Sequence, residues 1–179
     1  FPITNPVTGQ AIGAGIQRLE AFKCAIASIN QRNNLLANTT VTYNAIDTRG
    51  LSDEALSASI ALMEANFTSV VGPSTSDEAL VTGSFFYNYN ICSVSYAATS
   101  SFIDSVGLFP FARSIPSDVQ QMQAISAYMA ALNWTLVIPL YTNDTYGVSG
   151  FSDFRAAASR ARIRLTCTNQ IPVATSLSS

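Results

Sequence analysis

The sequence predicts an α/β fold built on a doubly wound parallel sheet. Three observations carry that expectation. Short apolar or alternating runs are followed, again and again, by segments with apolar residues three and four apart, so strand and helix alternate along the chain. The stretch Phe67–Phe102 holds two consecutive strand–loop–helix units, with Gly72-Pro73 turning the chain after the first strand. Both strand ends are dressed with small and hydroxyl residues, Ser74-Thr75-Ser76 and Ala97-Ala98-Thr99-Ser100. Open α/β sheets bind ligands outside the carboxyl ends of their strands, and a helix N-terminus there can hold an anion. Each hydroxyl segment alone is better read as helix capping; it is the repetition in adjacent units that points to a site.

Residues 1–9 read as extended and proline-marked. From about Gln10, Ile12, Ile16, Leu19, Phe22, Ile26 and Ile29 form a stripe of helical period that ends at Asn33-Asn34. Val41–Ile46 alternates like a strand, with Asp47-Thr48-Arg49-Gly50 as its loop. Ser52 is expected to cap a helix with Asp53 and Glu54 in its first turn and Leu56, Ile60 and Met63 inward. The strand ending at Val71, a helix from Asp77 to about Tyr87 and a strand over Ile91–Tyr96 follow. Residues 108–112 read as a short strand. Ser117 and Gln120 have the spacing of a capping box for a helix reaching Leu132, with Met122, Ile125, Met129 and Leu132 inward. Leu136–Tyr141 is a predicted strand. A polar loop to Gly150 leads into a helix with Phe151, Phe154, Ala158 and Ala161 inward, and Ile163–Thr168 closes the pattern as a strand. Ile171–Ser179 has no pattern.

Composition narrows the function. Of 179 residues, 48% are hydrophobic and 11% charged, with a formal net charge of −2 and no basic run, which disfavours nucleic acid. Histidine is absent, which removes a Ser–His–Asp triad and most zinc sites. Cys24, Cys92 and Cys167 form no close-spaced pair, so neither a CxxC redox motif nor a cysteine zinc site is present. Cys24 and Cys92 are expected to be buried thiols in a helix and a strand. No cofactor and no metal is expected, no run is long enough to span a membrane, and no phosphate loop follows a strand. Four glycosylation acceptor patterns begin at Asn38, Asn66, Asn133 and Asn143, and in a chain of low charge they point to an extracellular glycoprotein.

Several motifs fall in a recognisable order: Gly15-Ile16-Gln17-Arg18-Leu19-Glu20-Ala21, Val71-Gly72-Pro73, Ser95 to Ser100, Pro116-Ser117-Asp118, Asn133-Trp134-Thr135 and Tyr146 to Gly150. Together they resemble the extracellular ligand-binding domain of class C G-protein-coupled receptors, with the metabotropic glutamate receptors as the nearest likeness, over residues 1–168. The resemblance implies a type 1 periplasmic-binding-protein-like fold, two α/β lobes that close on a small ligand, here present as a fragment. Residues 1–115 would be lobe 1 without its first strand and its later return segment, and residues 116–179 the start of lobe 2. It implies an ectodomain on the extracellular face of the plasma membrane, anchored only through segments outside this chain, dimeric through lobe 1, sensing an amino-acid-like ligand and catalysing nothing.

By the same resemblance, Ser76 would take a ligand's α-carboxylate, Ala98 and Thr99 would line the grip with Thr99 shared between carboxylate and ammonium, Asp118 would face the ammonium, Tyr146 would stack over the ligand, and Arg18 would reach a distal acid. Cys167 would bond to a cysteine outside the chain. The sequence departs from the pattern at Ala97, where those receptors carry serine, at Ala14, where they carry an aromatic residue, and at Arg49, in place of a disulfide cysteine. Asp77 and Glu78 also put negative charge beside the proposed anion cradle. A soluble solute-binding protein, and ionotropic or guanylyl cyclase receptor ectodomains, share the fold and remain open on these residues. An enzyme on a flavodoxin-like sheet has no histidine or phosphate loop to work with.

Overall fold

A computed structural model describes residues 1–32, 34–107 and 110–171. The chain divides into two compact units, Phe1–Thr68 and Ser69 onward. The lobe boundary expected near residue 115 lies inside the second unit.

The first unit is two helices and an ordered N-terminal arm. Helix α1 (Gly13–Gln31) follows an isolated antiparallel bridge between Thr4 and Ala11. Its apolar stripe is only half-buried; Gly15 is its one buried residue, because a Cβ there would collide with the Pro2 carbonyl. Phe22 packs between the rings of Phe1 and Tyr43, with centroids 5.6 and 5.5 Å away. The strand expected at Val41–Ile46 does not form. No strand among the described residues pairs with it, and its backbone is held at the ends instead: the Asn30 side chain exchanges two hydrogen bonds with Val41 (2.8 and 2.9 Å), and the N-terminal ammonium donates to the Ile46 carbonyl (3.1 Å).

Helix α2 (Ser52–Glu64) is capped at Leu51, so Ser52 is its first helical residue and not its cap. Its buried face is Ala55, Ala58 and Ser59, rotated from the expected Leu56–Ile60–Met63 stripe, and Ile60 is exposed.

The second unit is parallel throughout. Strands β1 (Ser69–Val71), β2 (Cys92–Ser95) and β3 (Phe111–Arg113) form one sheet in that order, with Val71 opposite Val94 and Val94 opposite Ala112. Helices α3 (Ser76–Tyr89) and α4 (Phe102–Val106) accompany it around a small core of Ala79, Ala98 and Ile103, with Leu80 and Phe111 against them. Of the strand expected at 108–112, residues 108 and 109 lie outside the described residues.

Helix α5 (Asp118–Ala131) packs on α6 (Thr145–Arg160) around Phe154, Ala158 and Ile163, with Met122, Ile125 and Met129 half-buried against them and Leu132 exposed. The single strand expected at Leu136–Tyr141 is two. Pro139 has no N–H to give a ladder, so β4 (Leu136–Val137) and β5 (Leu140–Thr142) separate around it. They pair with β6 (Arg164–Leu165) and β7 (Asn169–Ile171), the latter unforeseen. All three cysteines are free and exposed, which corrects the expectation of buried thiols at Cys24 and Cys92. Cys92 is on the open face of β2, opposite the buried Ser93, and Cys24 is off the α1 stripe.

Candidate functional site

The site is assembled by the chain's path from β1 to α3. Gly72 takes φ +133°, a backbone open to glycine, and its N–H donates to the Val94 carbonyl at 2.9 Å. Helix α3 then starts with a capping box. The Thr75 hydroxyl accepts from the Glu78 N–H (3.2 Å), and Glu78 Oε2 accepts from the N–H groups of Ser74 (3.2 Å) and Thr75 (2.9 Å) and from the Thr75 hydroxyl (3.0 Å). Glu78 is fully buried. The box expected at Ser117–Gln120 is absent; Ser117 precedes α5 but its hydroxyl caps nothing.

Ser76 is the first residue of α3 and 4% exposed, and its Oγ accepts from the Ser100 N–H at 3.3 Å. Ala98 is fully buried. The Thr99 hydroxyl donates to Asp118 Oδ2 at 2.8 Å, and the Asp118 N–H returns a bond to the Thr99 carbonyl at 3.0 Å. Ser76, Ala98, Thr99 and Asp118 are thus tied into one network at the carboxyl ends of β1 and β2. The Ser95 hydroxyl anchors it from below, donating to the Pro73 carbonyl and accepting from the Ala97 and Ala98 N–H groups. Arg113, which sequence reasoning overlooked, pairs closely with Asp104 and donates to the Ala98 and Ser100 carbonyls.

Tyr146 is not part of that network. It is 47% exposed in the first turn of α6 and lines a separate, mainly apolar pocket of about 370 Å³ beside Tyr141 and Phe151, whose rings stack at 4.3 Å. Gly147 beside it approaches Thr142 so closely that a Cβ would strike the Thr142 carbonyl. Arg18 is exposed on α1 in the other unit.

A larger cleft, about 790 Å³, opens next to the network. Asp77 from α3, Ser101 and Phe102 at the start of α4, Asn143 and Asp144 from the β5–α6 loop, and Ser152 from α6 are among its walls, and none of its lining residues is basic. The Ser101 and Ser149 hydroxyls meet across it at 3.0 Å. Asp144 caps α6, accepting from the Gly147 N–H (2.7 Å) and the Thr142 hydroxyl (2.8 Å). Ser76, Thr99, Asp118 and Tyr146 do not line this cleft; Asp77, next to Ser76, and Ser101, two residues after Thr99, do. The negative charge of Asp77 and the hydroxyl-rich loop were legible in the sequence, whereas nothing marked Phe102 or Ser152. No group of three metal-ligating side chains occurs among the described residues, and no helix among them is long and apolar enough to cross a membrane.

Residues 17–179 match the model of the receptor family ligand binding region. The chain is similar to taste receptor type 1 member 3 of Homo sapiens, 28% identical over 188 residues, covering 95% of the chain and 22% of the relative. It is also similar to the proteins of that name in Felis catus, 30% over 171 residues (86% and 20%), and Mus musculus, 29% over 170 residues (85% and 20%). The chain therefore spans about a fifth of the length of these relatives. The matched family binds ligands, which sets the enzyme reading aside. With a family match over nearly its whole length and a parallel α/β unit that presents hydroxyl-rich strand ends, the chain belongs to the receptor family ligand-binding region.

Proposed function

We propose that the chain forms part of the ligand-sensing ectodomain of a class C G-protein-coupled receptor, outside the plasma membrane, and that it contacts a small amino-acid-like ligand. The observation that carries this reading is the cleft of about 790 Å³ beside the Ser76–Thr99–Asp118 network. The N–H groups of Ser76 and Asp77 have no hydrogen-bond partner among the described residues. They lie at the positive end of α3, where a ligand carboxylate is favoured. Asp77 and Asp144 in the cleft wall favour an ammonium. A zwitterion meets both demands.

Arg18 and Tyr146 belong to this proposal as further ligand contacts, and residues 1–115 and 116–179 as parts of the two lobes that close on it. The dimer through lobe 1, and the stalk cysteine that would pair with Cys167, belong to the same reading. The exposed asparagines of all four acceptor sequences, Asn38, Asn66, Asn133 and Asn143, support a glycosylated, extracellular chain.

The test is titration calorimetry of the secreted ectodomain against a panel of L-amino acids, alongside a cleft-filling variant, Val148→Trp. Val148 lines the cleft and is 43% exposed, so the larger ring has room without entering the core. The expected result is saturable heat with at least one amino acid, abolished in the variant while its circular dichroism is unchanged. Equal binding in the variant would place the ligand elsewhere.

A further inference from the structure

Asn143 is the one acceptor asparagine that lines the 790 Å³ cleft. Asn66 and Asn133 sit just past the ends of α2 and α5, and Asn38 is in the loop after α1. The geometry around Asn143 is fixed by its neighbours. Asp144 is held by its two capping bonds, Thr145 begins α6, and Ser149, one turn on, is bonded to Ser101 on the facing wall. The Asn143 side chain is exposed and has no hydrogen-bond partner among the described residues, so its Nδ2 is open to a sugar without disturbing the cap.

We propose that Asn143 carries an N-linked glycan that covers this cleft, so that glycosylation controls access to the ligand site. The inference rests on the reading of the cleft as that site. An N-glycan is bulky and hydrated. Joined to the cleft wall through a short amide link, it stays over the opening, facing the hydroxyls and carboxylates of the wall, which suit a sugar. The glycosylated form would then admit small probes slowly and large ones hardly at all, and the unglycosylated form would be open.

Access can be read without knowing the ligand. Ser152 is exposed in the cleft wall and its side chain makes no hydrogen bond among the described residues. In the secreted ectodomain, Ser152→Cys is labelled with a polyethylene-glycol maleimide, and peptide mass spectrometry follows both labelling at that position and glycan occupancy at Asn143. Labelling of the exposed native Cys24 is the internal control. The expected result is an occupied Asn143 and a labelling rate at position 152 that rises at least tenfold when Asn143→Gln is added or the glycan is removed enzymatically, with Cys24 unchanged. Should Ser152→Cys fail to fold, Phe102→Cys, 52% exposed on the opposite wall, gives the same readout.

An unmodified Asn143, or an occupied one with equal labelling in both forms, overturns the proposal. The ligand reading is separable. If the glycan shields the thiol yet neither glycosylated nor Asn143→Gln protein binds any amino acid, the shield stands and the ligand assignment falls.

Discussion

At the scale of single residues, three polar side chains make testable claims, one in the candidate site, one on β2 and one in the first unit. Asp118 is 4% exposed, with the Thr99 hydroxyl on its Oδ2. Thr99→Val keeps the shape and strips that bond. It is expected to destabilise the fold by about 1–3 kcal/mol, as for any buried acceptor losing its donor, read as a lower urea midpoint at constant slope.

Ser93 is the reverse case. It is fully buried on β2 and its hydroxyl has no partner among the described residues, so Ser93→Ala should be neutral or raise stability by up to about 1–3 kcal/mol. A marked loss of stability would show that the hydroxyl is bonded after all.

Asp47, in the first unit, is a pH sensor of stability. Burial alone would raise its pKa. Hydrogen bonds from the Thr4 hydroxyl and the Ile3, Arg49 and Thr4 N–H groups outweigh burial and hold it below the usual carboxylate value. A depressed folded-state pKa means that the contribution is full above the unfolded value of about 3.9 and is lost as pH falls through the folded value. Asp47→Asn should flatten that acid limb, which acid unfolding followed by tryptophan-independent circular dichroism will show.

At the scale of elements, four helices end in the same way, each with a non-glycine residue in the left-handed region. After α2, α3, α5 and α6 these are Asn66, Asn90, Asn133 and Arg162, with φ between 54° and 61°. In each, the next residue's N–H reaches back to the last turn: Phe67 to Leu62, Ile91 to Phe86, Trp134 to Met129 and Ile163 to Ala158. Asparagine tolerates this backbone, whereas arginine adopts it at a cost. Arg162→Gly should therefore stabilise the protein by about 1 kcal/mol, measured as a higher melting temperature.

Element identity was largely legible because helical and alternating periods differ. Five helices and most strands match their patterns, and the short α4 was not foreseen. What was not legible depended on partners. Val41–Ile46 alternates as a strand does, but alternation specifies a face and not a neighbour, and none pairs with it. In α2 the small residues Ala55 and Ala58 allow close approach that bulk alone does not signal, so the buried face was misjudged. Ser117 had the spacing of a capping box, yet Thr75–Glu78 forms the real one, and both patterns are present in the sequence. The site was legible as a region, through its hydroxyls at two strand ends. The side chains that face the cleft came only with the fold, because which neighbour of Ser76 or Thr99 points outward is set by the turn at Gly72 and the bonds of Ser95.

At the scale of the whole molecule, the chain is a ligand-binding receptor region that spans a fifth of its relatives. We propose that the α3 terminus and the adjoining cleft hold the ligand. Ser76→Ala is the direct probe, because Ser76 begins α3 and its hydroxyl orders the Ser100 loop. Titration calorimetry of the secreted ectodomain, with whichever L-amino acid binds the parent protein, compares the two forms. The hydroxyl is buried and its loss strips the buried Ser100 N–H of its acceptor, so the urea midpoint should fall by the equivalent of about 1–3 kcal/mol, and affinity should fall about tenfold because Ser101, next in that loop, lines the cleft. Unchanged affinity in Ser76→Ala, for a ligand that binds the parent, would contradict the account and leave the hydroxyl as a structural link between α3 and its neighbouring loop.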